Sequence, residues 1–249
     1  MGTDAALPAR LHDLACGALY GGEPRFSRFL DPAQRAQAEE IAQQAGAQVT
    51  FFGGMRDAER VMAAFYAEEP PAQNQFPLAC VKLTWNARYG SAAHRDLLGA
   101  QMALGLERSV FGDIAVGEAA AYCFAMPEAA RYLLDNMRLA GRCALKGEMA
   151  FDYLAEMPEI KGRETRVTVS SMRLDALVAA AYDLSRQDAQ KLIEREWVKL
   201  NHVFTVRTDA QVGAGDLISA RGYGRAKVLE APEPTRKGRL GVKVFLYGE

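Results

Sequence analysis

The chain has 249 residues, with 30 Lys plus Arg against 31 Asp plus Glu and an apolar share of 49%, ordinary for a soluble globular protein that buries one large core or two small ones. It holds no run of about 18 apolar residues, which argues against a membrane span. Its opening, MGTDAALPARLHDLACGALY, lacks the cationic flank of a secretory signal, and Ala6 stands where a myristoylation signal has Ser or Thr.

The near-neutral total conceals an asymmetry. From Lys161 onward there are 16 Lys plus Arg against 11 Asp plus Glu, whereas residues 1–160 hold 14 against 20. The C-terminal third is therefore the part suited to a polyanion. Cys16, Cys80, Cys123 and Cys143 are far apart with no CxxC pair, and the chain has only three His. This predicts reduced, mostly buried thiols in a cytoplasmic protein, with no metal site and no cofactor.

In chain order, Leu7, Leu11, Leu14, Ala15 and Ala18 predict an amphipathic helix that ends at Gly21 and Gly22. A second helix is expected over FSRFLDPAQRAQAEEIAQQAG, with Asp31 as cap, Pro32 in the first turn and Gly46 as stop. Residues 1–46 thus read as an N-terminal helical segment. Residues 47–160 read as an α+β domain: strand AQVTFFGG, helix DAERVMAAFYAE, strand LACVKLTWNAR, helix HRDLLGAQMALGL, strand pair SVFGDIAVG and AAYCFAM, helix PEAARYLLDNM and strand RCALKGEM. That order suggests a sandwich of the ferredoxin or RNA-recognition kind, with helices on one face.

Several groups in this region tempt a catalytic reading. Gly53 and Gly54 follow an aromatic strand, but no GxGxxG or GxxxxGKS pattern surrounds them, and a tight turn is the expectation. His94, Arg95 and Asp96 have no nucleophile motif nearby and read as helix capping. Phe51, Phe52, Phe111, Tyr122 and Phe124 fall in predicted strands, where core packing is expected over base stacking.

The stretch from Ser171 to Lys227 carries the most information. Leu174, Leu177, Val178 and Ala181 mark a short helix. A second helix begins after Ser185, with Asp188 completing a capping pattern and Ala189, Leu192 and Ile193 forming its apolar stripe. VKLNHVFTV alternates like a half-buried strand, and Gly213 to Asp216 turn into LISARG. On the second helix, Arg186 and Gln190 share one edge, and Arg186 is expected to face outward beside the positive helix end.

The pieces RLDALV, SRQDAQKLI, VKLNH and GDLISARGYGR resemble the S4 RNA-binding domain, with His202 where the module commonly has Gly. The run ISARGYGRAK, together with FFGGMRDAERVMAAFY, HRDLLGAQMALGLERSVFGDIAV and FLDPAQ, is similar to the YlmH family of bacterial RNA-binding proteins. The fold this implies is α+β: the N-terminal helical segment, the ferredoxin/RNA-recognition-like sandwich, and a small S4-like αα-β domain over residues 166–249. The resemblance selects Arg173, Arg186, Lys191, Lys199, Arg221 and Arg225 as RNA-binding; Lys227 joins them by position, as does Tyr223, which between its two glycines either stacks on a base or closes the turn.

The resemblance further implies a non-catalytic protein that binds structured RNA, namely large-subunit ribosomal RNA and tRNA, on the large ribosomal subunit during quality control of stalled peptidyl-tRNA. Pseudouridine synthases use an Asp in a string like that around Asp175, but here the string opens a helix of the RNA module. Two alternatives stay open. One is an RNA-modifying enzyme with an appended S4 domain. The other is a cell-division or scaffold adaptor whose acidic N-terminal part binds a protein partner.

Overall fold

The computed structural model describes residues 6–88, 90–158, 162–235 and 238–248. The expected domain end at residue 160 and the start of the N-terminal segment lie outside them. The chain divides into two compact units, Met1–Pro158 and Glu159–Glu249. Among the described residues no helix is long and apolar enough to cross a membrane.

The first unit runs α1 (Ala6–Gly21), β1 (Arg25–Leu30), α2 (Pro32–Ala45), β2 (Gln48–Phe52), β3 (Val61–Tyr66), β4 (Ala79–Thr84), α3 (His94–Ala103), β5 (Phe111–Val116), β6 (Ala120–Ala125), α4 (Pro127–Asn136), β7 (Leu139–Ala140), β8 (Cys143–Ala144), β9 (Lys146–Ala150) and α5 (Tyr153–Glu156). Its strands form antiparallel sheets in the orders β1-β3-β2 and β5-β6-β4-β9, plus the small β7-β8 pair. Strand alternation sorts the side chains into layers. Ala63 and Phe65 of β3 pack with Leu11, Ala15, Ala38 and Ile41 of α1 and α2. Met62 and Ala64 face the other way, joining Phe29, Cys80, Tyr122 and Phe124. Val81, Leu83, Ala121 and Cys123 turn to Leu97 and Leu133 of α3 and α4. The unit is thus helices, sheet, sheet, helices.

Phe29 and Phe124 are fully buried between the sheets, a burial that contributes about 1.5–3 kcal/mol apiece by transfer. The close approach requires glycine at two places. A Cβ on Gly112 would lie 2.6 Å from the Phe29 ring, and one on Gly54, at φ +90°, would lie 2.3 Å from the Phe124 ring.

This arrangement corrects the expected N-terminal helical segment and the expected sandwich with helices on one face. Residues 25–30 form β1 rather than the start of a helix, because Phe26 and Phe29 reach the inter-sheet core. Asp31 then caps α2, accepting from the Gln34 N–H at 2.9 Å, while the Gln34 side chain accepts from the Asp31 N–H. Residues 61–66 form β3 rather than part of a helix. Its first five residues are all buried, since helices cover one face and a sheet the other.

The second unit runs β10 (Gly162–Val169), α6 (Leu174–Ala181), α7 (Arg186–Glu194), β11 (Val198–Leu200), β12 (Val203–Phe204), β13 (Leu217–Ala220), β14 (Gly224–Val228), β15 (Glu233–Pro234) and β16 (Leu240–Tyr247). Its sheet is antiparallel, in the order β10-β16-β14-β13-β11-β12, with β15 paired to β16. Val198, Ile218, Ala220, Val228, Val242 and Val244 point to one face and pack with Leu174, Leu177, Val178, Ala189, Leu192 and Ile193 of the two helices. The stretch expected as one strand, VKLNHVFTV, is instead a two-residue hairpin. Asn201 (φ 50°) and His202 (φ 69°) both adopt the left-handed conformation, as the tightest hairpin turns require.

Candidate nucleic-acid interface

The two helices of the second unit meet over one carboxylate. Asp175, in the first turn of α6, is 0% exposed, and a charge there is tolerable only if fully partnered. Arg173, at the cap of α6, donates from Nε to Oδ1 and from Nη2 to Oδ2, both at 3.1 Å. Arg186, the first residue of α7, donates from Nε to Oδ2 at 3.3 Å and from Nη2 to Oδ1 at 3.2 Å. Gln190, one turn further along α7, adds its amide to Oδ2 at 2.9 Å. Burial alone would push the Asp175 carboxyl up. The hydrogen bonds from Arg173, Gln190 and Arg186 outweigh it and hold the group well below the ordinary carboxylate range.

The edge shared by Arg186 and Gln190 is therefore the edge that faces Asp175, and the outward guanidinium expected from the sequence is corrected. Two of the Arg186 nitrogens are committed to the buried carboxylate, although the side chain remains 47% exposed. Arg173 is held the same way at 35% exposure. In both forks Nε and Nη2 point at Asp175. The consequence is two cations from different helices fixed side by side, each partly open to solvent. The start of α7 adds its helix-end N–H groups. Ser185 Oγ accepts from the Asp188 N–H at 3.1 Å and donates to its carboxylate at 2.7 Å, and Lys191 reaches Asp188 at 3.3 Å.

The remaining expected residues lie elsewhere. Lys199, Arg221, Arg225 and Lys227 belong to the sheet side of the unit. In the strands, their neighbours Val198, Ala226 and Val228 point to the helices, so Lys199, Arg225 and Lys227 point to the opposite face. Each of three rings there carries a cation. Lys199 Nζ lies 4.8 Å from the centroid of Phe204, Arg225 Cζ 4.7 Å from Tyr247, and Arg221 Cζ 5.5 Å from Trp197, with Arg195 Cζ at 5.7 Å from the same indole. Lys227 sits opposite Phe245 in the β14–β16 register. Tyr223 occupies the turn between β13 and β14, half-exposed, its ring 5.8 Å from that of Tyr182. Tyr182 in turn donates from its hydroxyl to the carbonyls of Gly224 and Ile218, tying α6 to those strands.

Sequence reasoning thus selected two clusters as though they were one. It also missed the anchoring role of Asp175 with Gln190, and the exposed rings of Trp197 and Phe204. The signal for the rings was present: Trp197, just before β11, and Lys199 within it stand two residues apart, and Phe204 falls opposite Lys199 once the Asn201–His202 turn is recognised.

In the first unit several of the tempting groups have structural partners. The Asp96 carboxylate accepts from the Ala93 N–H at 3.0 Å and caps α3. Phe111, Tyr122 and Phe124 are buried, and Cys80, Cys123 and Cys143 are buried free thiols. Burial pushes the Cys80 thiol up to about 12. Among the described residues no cluster of three or more His, Cys, Asp or Glu is arranged to hold a metal ion.

Comparison with known proteins adds three findings. Residues 71–150 match the family model described as "Putative RNA-binding domain in YlmH". The chain is 31% identical over 219 residues to the ribosome-associated protein quality control protein P2 of Bacillus subtilis (strain 168), covering 88% of this chain and 85% of that one. A solved structure of the cell division protein ylmH from Streptococcus pneumoniae shares the fold with a TM-score of 0.51 at 19% identity, over 64% of this chain and 96% of that one.

Proposed function

The chain belongs to the YlmH family, and from that premise we propose that it is a non-catalytic RNA-binding protein of ribosome-associated quality control. It works in the cytoplasm on the large ribosomal subunit, where it grips ribosomal RNA and tRNA around a stalled peptidyl-tRNA. Residues 166–249 act as an S4-like module. The observation that carries this reading is the paired guanidiniums of Arg173 and Arg186, locked by one buried carboxylate beside the start of α7. Arginine forks fixed in this way meet phosphate without first losing side-chain freedom. Lys191 extends the cluster, and Lys199, Arg221, Tyr223, Arg225 and Lys227 supply contacts from the sheet side.

The first unit contributes as well. The acidic balance of residues 1–160 comes from its flanks, because residues 71–150, the stretch matched by the family model, hold 8 Lys plus Arg against 7 Asp plus Glu. RNA affinity is thus shared between the units rather than confined to residues 166–249. Such a protein positions RNA and makes no bond.

Crosslinking the tagged protein to RNA in cells and sequencing what co-purifies tests the proposal. Enrichment of large-subunit ribosomal RNA and tRNA is expected. Recovery of protein partners without RNA would favour the adaptor reading instead.

A further inference from the structure

The sheet of the second unit has one face covered by α6 and α7 and one face without helices, and the bare face sets aromatic rings among the charged side chains that an exposed sheet normally shows. Across it the register sets Phe204, Lys199, Ser219, Arg225 and Tyr247 side by side on five successive strands, β12, β11, β13, β14 and β16. Beside this row Trp197 neighbours Arg221, whose N–H donates to the Trp197 carbonyl at 2.9 Å. Phe245 packs edge-on against Tyr247, with ring centroids 5.0 Å apart. Phe204 is 57% exposed and Trp197 39%. Glu164 of β10 stands opposite Phe245 on this face, where Lys243 holds both it, at 3.5 Å, and Glu230, at 3.2 Å.

We propose that this helix-free face is a second RNA-contacting surface that stacks unpaired bases, separate from the cation cluster at the starts of α6 and α7. The inference rests on the RNA-binding reading above and adds the class of RNA that this face accepts. A purely apolar partner would fit the rings but would leave Lys199, Arg221 and Arg225 desolvated without a counter-charge. A duplex would satisfy the cations but offers no free base faces to the rings. An unpaired segment satisfies both at once, because each nucleotide brings a π-face and a phosphate. One small module would then hold two features of a structured RNA: a backbone at the helix starts and an unpaired loop or bulge on the sheet.

The protein carries its own reporter. Of its two tryptophans, Trp85 is buried in the first unit and only Trp197 is open to a stacking base. The full chain is titrated with an eight-nucleotide oligouridylate and, separately, with a fully paired RNA duplex, and both fluorescence and affinity are read. Oligouridylate should quench the emission saturably, and Trp197→Phe should abolish that quenching. Phe204→Ala should weaken oligouridylate binding by roughly five- to a hundredfold, the loss expected for one stacked base, while leaving duplex affinity and the circular dichroism spectrum unchanged.

If the wild type binds duplex RNA but neither binds nor is quenched by oligouridylate, this inference is overturned and the RNA-binding reading stands. If Phe204→Ala weakens duplex and oligouridylate equally, the separate surface is likewise overturned. If no RNA of either kind binds, both readings fall together. If Phe204→Ala alters only self-association in sedimentation, the face belongs to a protein contact instead.

Discussion

Asp175 shows how one residue serves fold and function together. Its carboxylate accepts five donors while buried, so removing Arg186 takes away two of them and leaves a charge under-compensated in the core. Arg186→Ala should therefore destabilise the second unit by about 1–3 kcal/mol in urea denaturation, rather than leaving it untouched as an outward-facing arginine would. The pH dependence has a definite sign. The folded carboxyl titrates well below its unfolded value, so its contribution is full above the ordinary carboxylate range of about pH 4, shrinks as pH falls below it, and is gone only once pH has fallen through the lower folded value. Asp175→Asn should flatten that acid limb. The same variant removes a negative charge from beside two arginines, and simple electrostatics would tighten RNA binding. Weaker binding is expected, because each guanidinium loses half of its fork to an amide NH2 that cannot accept, and tighter binding would show that Asp175 serves the fold alone.

At the scale of elements, the hairpin of β11 and β12 depends on two left-handed residues in succession. Asn tolerates that conformation, and Asn201 also accepts from the Leu217 N–H and donates to Asp216, both at 2.9 Å. Asn201→Ala should cost about 1–2 kcal/mol, seen as a lowered urea midpoint with unchanged slope, and a neutral result would contradict the turn. This element was hard to read because His202 stands where Gly would have signalled a two-residue turn. The apolar run VMAAFY of β3 was hard for a different reason. Both its faces are covered, so it lost the alternation that distinguishes strand from helix. By contrast α2, α6 and α7 were legible, because Asp31, Ser185 and the spacing of Leu174, Leu177 and Val178 act locally. The pairing of Arg173 with Arg186 depended on how two helices meet, which no single helix pattern contains.

For the whole molecule, binding without chemistry is a testable claim. Incubating the protein with tRNA and ribosomal RNA, with and without S-adenosylmethionine, should yield no new nucleoside by mass spectrometry. A protein-dependent modified base would move the assignment to an RNA-modifying enzyme. The central claim is that cations of the second unit neutralise RNA phosphates, one set from the helix layer and one from the sheet. Lys191 and Arg221 represent the two sets, and neither touches the buried carboxylate, so their removal leaves the fold intact. The most direct measurement is the affinity of the full chain for purified large ribosomal subunits over a salt series, compared with the double variant Lys191→Ala, Arg221→Ala. The slope of log K against log salt should become shallower by roughly 0.7–0.9 for each lost cation, with an unchanged melting temperature. An unchanged slope and affinity would contradict the account.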